Sequence, residues 1–142
     1  MNVENLTLDV QQQIEIAAPQ QDVFAGMLSQ LGEGNTTPDE QPLAMQLERW
    51  PGGRWYRDLG DDTGHLWGFV QVIKPPALLE IAGPMFMSYP AAGHLALRLT
   101  EADGVTKLSL RHRVLGLIEE GHREGVVPGW EHFLQEVKSK CE

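Results

Sequence analysis

The chain has a single cysteine, Cys141, so no disulfide can form within it. That excludes the disulfide-stapled secreted scaffolds and suits a reducing cytosol. Basic residues are also scarce: 11 Lys and Arg stand against 20 Asp and Glu. A nucleic-acid backbone or an anionic membrane surface asks for the opposite balance, so neither is expected as a partner. The acidic excess reads as solubility rather than as an acidic docking face. No apolar run approaches the length of a membrane span, and Met1-Asn-Val-Glu-Asn5 lacks the basic start and apolar core of a signal peptide. The expected location is therefore cytoplasmic, where the sequons at Asn5 and Asn35 have no use. There is no linker, repeat or low-complexity tract, and 142 residues that are 42% hydrophobic fit one domain spanning 1–142.

What is present reads mostly as strand. Leu6, Leu8, Val10, Gln12, Ile14 and Ile16 share one parity against Thr7, Asp9, Gln11, Gln13 and Glu15, the mark of a strand with one buried face. Ala18-Pro19 ends it, and Val23, Phe24, Met27, Leu28 and Leu31 space out a short amphipathic helix. Gly32 stops that helix and opens a loop to Leu43. Met45 to Trp50 and Arg54 to Leu59 form a hairpin, and His65 to Lys74 is apolar on both parities, which predicts a strand covered on both faces. After the Pro75-Pro76 break come Leu78 to Gly83, an irregular Pro84–Pro90 segment, and two strands paired across Ala102-Asp103-Gly104. From Glu119 to Glu142 runs a long helix whose apolar face is Trp130, Phe133, Leu134, Val137 and Cys141. Pro128 predicts a kink or a late start near Val127. Tight turns between successive strands give a curved antiparallel sheet, an α+β architecture.

Three stretches carry a resemblance. They are Ile14-Glu-Ile-Ala-Ala-Pro-Gln-Gln-Asp-Val-Phe24, Gly64-His-Leu-Trp-Gly-Phe-Val-Gln-Val-Ile-Lys-Pro-Pro76, and Gly129-Trp130 with the apolar helix behind it. In these the chain resembles the helix-grip superfamily of START-related and birch-pollen-allergen-like proteins (SRPBCC), and within it the branch named for the activator of the heat-shock chaperone ATPase. The resemblance implies a curved sheet wrapped around a long C-terminal helix, with a cavity between them for an apolar molecule. It also leaves open a cyclase- or dehydratase-like enzyme, a chaperone cofactor, or a homodimer. The loop from Gly32 to Leu43 departs from relatives that carry a second short helix there.

The residues themselves supply candidates for lining such a cavity. Aromatic and Met side chains offer apolar contact: Phe24, Met27, Trp50, Trp55, Trp67, Phe69, Met85, Phe86, Met87, Trp130 and Phe133. Parity turns His112 and Gln12 inward, where a buried polar group needs a partner, and His112 could orient a ligand carbonyl. Arg49 shares parity with Met45 and Leu47, while Arg111 and Arg113 belong to a solvated face with Lys107. The expected ligand-binding set is thus His112, Trp130, Phe133, Trp67, Phe69, Trp55, Met85, Met87, Phe24, Arg49 and Gln12. No catalytic constellation emerges. Asp62-Thr63-Gly64 is a plain turn, Gly32-Glu-Gly34 lacks the strand and helix of a phosphate loop, and no serine sits in a nucleophile elbow. His122 and His132 miss the i, i+4 spacing of helical metal ligands, and the run from Glu119 to Glu124 reads as a solvated helix start. No metal and no cofactor is expected, and binding is favoured over catalysis.

Overall fold

The computed structural model describes residues 3–142; Met1 and Asn2 of the N-terminal stretch lie outside the described residues. A short 3-10 turn, Val3–Leu6, leads into β1 (Thr7–Ile16), and α1 (Gln20–Leu31) follows the Ala18-Pro19 turn. Strands β2 (Gln46–Leu47), β3 (Arg54–Gly60), β4 (Thr63–Lys74), β5 (Leu78–Ala82), β6 (Ala91–Ala102) and β7 (Val105–Gly116) come next, then α2 (Glu120–Cys141). All pair antiparallel in one sheet of order β1-β7-β6-β5-β4-β3-β2. This is the α+β helix-grip fold.

The period-two pattern sets the register. Val10 lies opposite His112, and Ile14 opposite Leu108, so the apolar parity of β1 meets that of β7 on one face. At the β6–β7 turn Asp103 and Gly104 both have positive φ (53° and 79°), the geometry for which an Asp-Gly pair is suited. Register shifts between Trp55 and Tyr56, between Asp58 and Gly60, and between Val70 and Val72 bend the β3–β5 half. Gly83 permits a close backbone approach there, since a Cβ on it would sit 2.4 Å from the Cα of Gly68.

Both helices lie on the concave face. Helix α2 packs against β1 and α1, burying Val126, Trp130, Phe133, Leu134 and Val137 against Val10, Met27, Leu28 and the sheet. The Nε1 of Trp55 donates to the carbonyl of Leu31 at 2.8 Å, tying β3 to the end of α1. Thr106 donates to the carbonyl of Ala18 at 2.7 Å and secures the β1–α1 turn.

Two expectations are corrected. Helix α2 does not start late near Val127: it is helical from Glu120 and carries Pro128 inside it, its first half held down by Val126 and by a hydrogen bond from Gln12 Nε2 to the Val127 carbonyl (3.0 Å). Strand β4 is covered on one face only, because both helices lie on the same side of the sheet. Phe69 is 47% exposed and Leu66 48%. Among the described residues no helix is long and apolar enough to cross a membrane.

Candidate ligand cavity

Three consecutive turns of α2 form one wall of a cavity of about 340 Å³. His122, Gly125, Val126, Gly129, Trp130 and Phe133 recur there at the three- and four-residue spacing of one helical face. Trp55 and Trp67 rise from the sheet opposite, Leu31 closes one end, and Phe86 enters from the segment between β5 and β6. The rim is the loop after α1, through Asn35, Thr36, Thr37, Pro38 and Leu43. The volume lies within the range of small-molecule pockets.

The glycines keep the space open. A Cβ on Gly125 or Gly129 would meet nothing within 4 Å. A glycine in a helix interior costs about 1 kcal/mol relative to alanine. Gly125→Ala is therefore expected to stabilise the protein by about 0.5–1 kcal/mol, read as a higher urea midpoint at unchanged slope.

The aromatic rings touch edge to face. Trp55 and Trp67 have centroids 5.0 Å apart, Trp67 and Phe86 6.0 Å, and Trp130 and Phe133 5.7 Å. Behind Trp130 sits His112, which is 0% exposed. Its Nδ1 accepts a hydrogen bond from Trp130 Nε1 at 3.0 Å, which places the imidazole proton on Nε2. That Nε2 has no partner, although it is buried. Burial, reinforced by the neighbouring His94, pushes the His112 pKa down to about 4. His112 is thus a neutral support for Trp130.

Two polar clusters flank the apolar walls. Thr36 Oγ1 lies 2.8 Å from His132 Nε2 and accepts from Gln30 Nε2 at 3.2 Å, which pins the rim loop to α2. The Tyr89 hydroxyl lies 2.8 Å from His122 Nδ1 and accepts from the Glu119 amide at 3.2 Å. Among the described residues no Lys, Arg, Asp, Glu or Cys lines the cavity. Among the described residues no group of three His, Cys, Asp or Glu is placed to hold a metal ion.

The sequence profile of the family described as Activator of Hsp90 ATPase homolog 1-like protein matches residues 40–141. The chain belongs to this family. Solved structures with the same fold include a putative uncharacterized protein from Rhizobium leguminosarum (20% identical, TM-score 0.67, covering 94% of each chain). Ara h 8.0201 is 12% identical with a TM-score of 0.69, over 94% of this chain and 97% of that one. The di-domain ARO/CYC StfQ from the steffimycin biosynthetic pathway is 14% identical with a TM-score of 0.68, over 98% of this chain and 52% of that one. Among curated proteins no sequence matches.

In this member of the family, four of the candidate ligand residues line the cavity: Trp55, Trp67, Trp130 and Phe133. Seven lie elsewhere. Phe24, Met85 and Met87 are buried in the core, because Phe86 takes the cavity-facing place between the two methionines. Phe69 projects from the uncovered face of β4. Arg49 is exposed, since β2 ends at Leu47 and the parity argument ends with it. Gln12 reaches the α2 backbone, and His112 stands behind Trp130 rather than at the surface of the cavity.

The reading from sequence overlooked His122, Gly125, Val126 and Gly129, and assigned His122 to a solvated helix start. A usable signal was present. These residues extend the Trp130–Phe133 stripe backward at helical spacing, across a proline that α2 tolerates. The rim residues Asn35 to Pro38 carry no periodicity that could have shown them.

Proposed function

We propose that the protein binds a small, largely apolar molecule in the cavity between sheet and α2. The observation that carries this is an open space of about 340 Å³ walled by Trp55, Trp67, Phe86, Trp130 and Phe133 and kept empty by two helical glycines. Membership of the family and likeness to the fold of Ara h 8.0201 are compatible with it. The alternative of a cyclase- or dehydratase-like enzyme has less behind it, since among the described residues His122 and His132 are the only titratable side chains in the lining. A cytoplasmic setting suits the single free Cys141.

The test is binding of a neutral probe, 2-isopropenylnaphthalene, followed through the tryptophan indole NMR signals. Titration is expected to shift the signals of Trp55, Trp67 and Trp130 but not that of the exposed Trp50. Gly125→Leu, which places an isobutyl group in the space, is expected to weaken binding at least about tenfold while the protein stays folded. Undiminished affinity in a folded Gly125→Leu protein would place the binding site elsewhere. Native mass spectrometry of the purified protein adds a direct search for a retained small molecule.

A further inference from the structure

The face of the sheet that no helix covers gathers positive charge. Four of the 11 basic residues, Arg98, Lys107, Arg111 and Arg113, stand on the outward parity of β6 and β7, alternating with the buried Leu97, Leu99, Leu108 and Leu110. The chain as a whole carries a net charge of −9, so this grouping runs against its average.

The strand register sets Arg98, Arg111 and Arg113 around a depression of about 520 Å³. Arg111 lies opposite Ala96, and Ser109 opposite Arg98. The two arginines therefore take one diagonal of a four-residue square, and the two short side chains take the other. Ala96 and Ser109 form a low floor between two long cationic side chains. Gln11 and Gln13 of β1 border the depression on one side, opposite Arg111 and Ser109. Glu80 of β5 borders it on the other, opposite Ala96.

The charges are not equally engaged. Asp9 accepts from Arg111 Nε at 3.1 Å and from Arg111 Nη2 at 2.8 Å. That fork fixes the plane of the guanidinium and leaves Nη1 for a guest. Arg98 is exposed, and among the described residues neither its guanidinium nor the half-buried Ser109 hydroxyl has a hydrogen-bond or ion-pair partner. Among the described residues Glu80 is the one carboxylate in the lining, and its Oε1 lies 3.1 Å from His94 Nε2.

We infer that this outer face binds a phosphate group, as the free ion or as the monoester of a small molecule, between Arg98 and Arg111 and above the Ser109 hydroxyl. The site is separate from the apolar cavity and does not rest on the ligand proposed there. The Arg98 fork, the remaining Nη1 of Arg111 and the Ser109 hydroxyl come from three directions. A planar carboxylate meets one fork in its own plane, whereas a tetrahedral phosphate presents three oxygens that can meet all three donors. The depression is larger than a phosphate ion, which leaves room for the organic part of an ester.

Inorganic phosphate, phenyl phosphate and benzoate, titrated at constant ionic strength, test the site. Phenyl phosphate is expected to move the NMR signals of the Ala96 and Ser109 amides and of Arg98 Nε–H saturably, leaving the indole signals of Trp67 and Trp130 in place. Arg98→Gln should weaken its binding about tenfold, and Glu80→Gln should tighten it, with thermal midpoints checking that both variants are folded. Lys140→Gln, which removes an exposed charge on α2, should leave the affinity unchanged. Phenyl phosphate binding more tightly than phosphate assigns the guest to an ester, and phosphate binding at least as tightly assigns it to the free ion; either supports the site. Equal losses in Arg98→Gln and Lys140→Gln would reduce the face to a diffuse field and overturn the proposal. Benzoate binding as tightly as phenyl phosphate overturns it too, as does the absence of saturable shifts at Ala96 and Ser109. None of these failures touches the apolar cavity, which the neutral naphthalene probe tests by itself.

Discussion

Trp130→Ala is expected to lower the free energy of unfolding by about 4 kcal/mol, the largest effect of any single substitution considered. Trp130 is 7% exposed and touches Phe86, Phe133 and His112. Truncation removes those contacts and leaves a hollow beside an existing cavity. It also strips His112 Nδ1 of its donor, so a fully buried ring loses its one hydrogen bond within the protein. Trp130→Phe separates the two contributions: it keeps most of the ring volume but not the N–H, and should cost about 1–3 kcal/mol. Urea unfolding of the three proteins checks this. A loss below about 1.5 kcal/mol for Trp130→Ala would mean that Val126, Phe133, Leu134 and Val137 hold α2 without it.

The second large effect is with pH. In the unfolded chain His112 titrates near 6.5, whereas in the folded protein its pKa is about 4. Between those values the unfolded state binds the extra proton, so stability is complete above pH 6.5 and falls as the pH drops toward 4. The difference amounts to about 3 kcal/mol. The hydrogen bond and charge of Arg111 lower the Asp9 pKa, and the Ala17 amide and Lys138 lower that of Glu142, so these carboxylates also lose stability in acid. They remain in His112→Phe and cancel in the comparison. Urea midpoints from pH 7 to pH 4 should fall more steeply for the wild type than for His112→Phe, whatever the variant costs at pH 7. Parallel curves would show that His112 takes up its proton without hindrance in the folded state.

Much of the fold could be read from residue periodicity and turn chemistry. The parity of Leu108, Leu110, His112 and Val114 turned the imidazole inward, and Asp103-Gly104 located the β6–β7 turn. The cavity was less legible. Its walls depend on which turns of α2 lie over open space, and Gly125 and Gly129 announce themselves as weak helix formers rather than as vacancies. The hydrogen bonds of Trp55 and Trp130 are harder still, since their acceptors, Leu31 and His112, are distant in sequence and brought near by folding. Parity also misled where its conditions lapsed, at Arg49 beyond a two-residue strand and at Phe69 on a sheet face that no helix covers.

The order of strands has a consequence for how the protein comes into being. Strand β1 has β7 as its neighbour in the sheet, with Leu8 meeting Val114 and Ile14 meeting Leu108. On a ribosome β1 therefore emerges long before the strand that will hold it. Until β7 arrives, its unpaired amides and apolar parity are open to any other extended chain. The β6–β7 hairpin is local and quick to form, but docking β1 onto it requires closure of the whole intervening chain. The joining of β1 to β7 is thus expected to be late in folding, which pulse-labelling hydrogen exchange of the β1 amides against those of β6 and β7 would check.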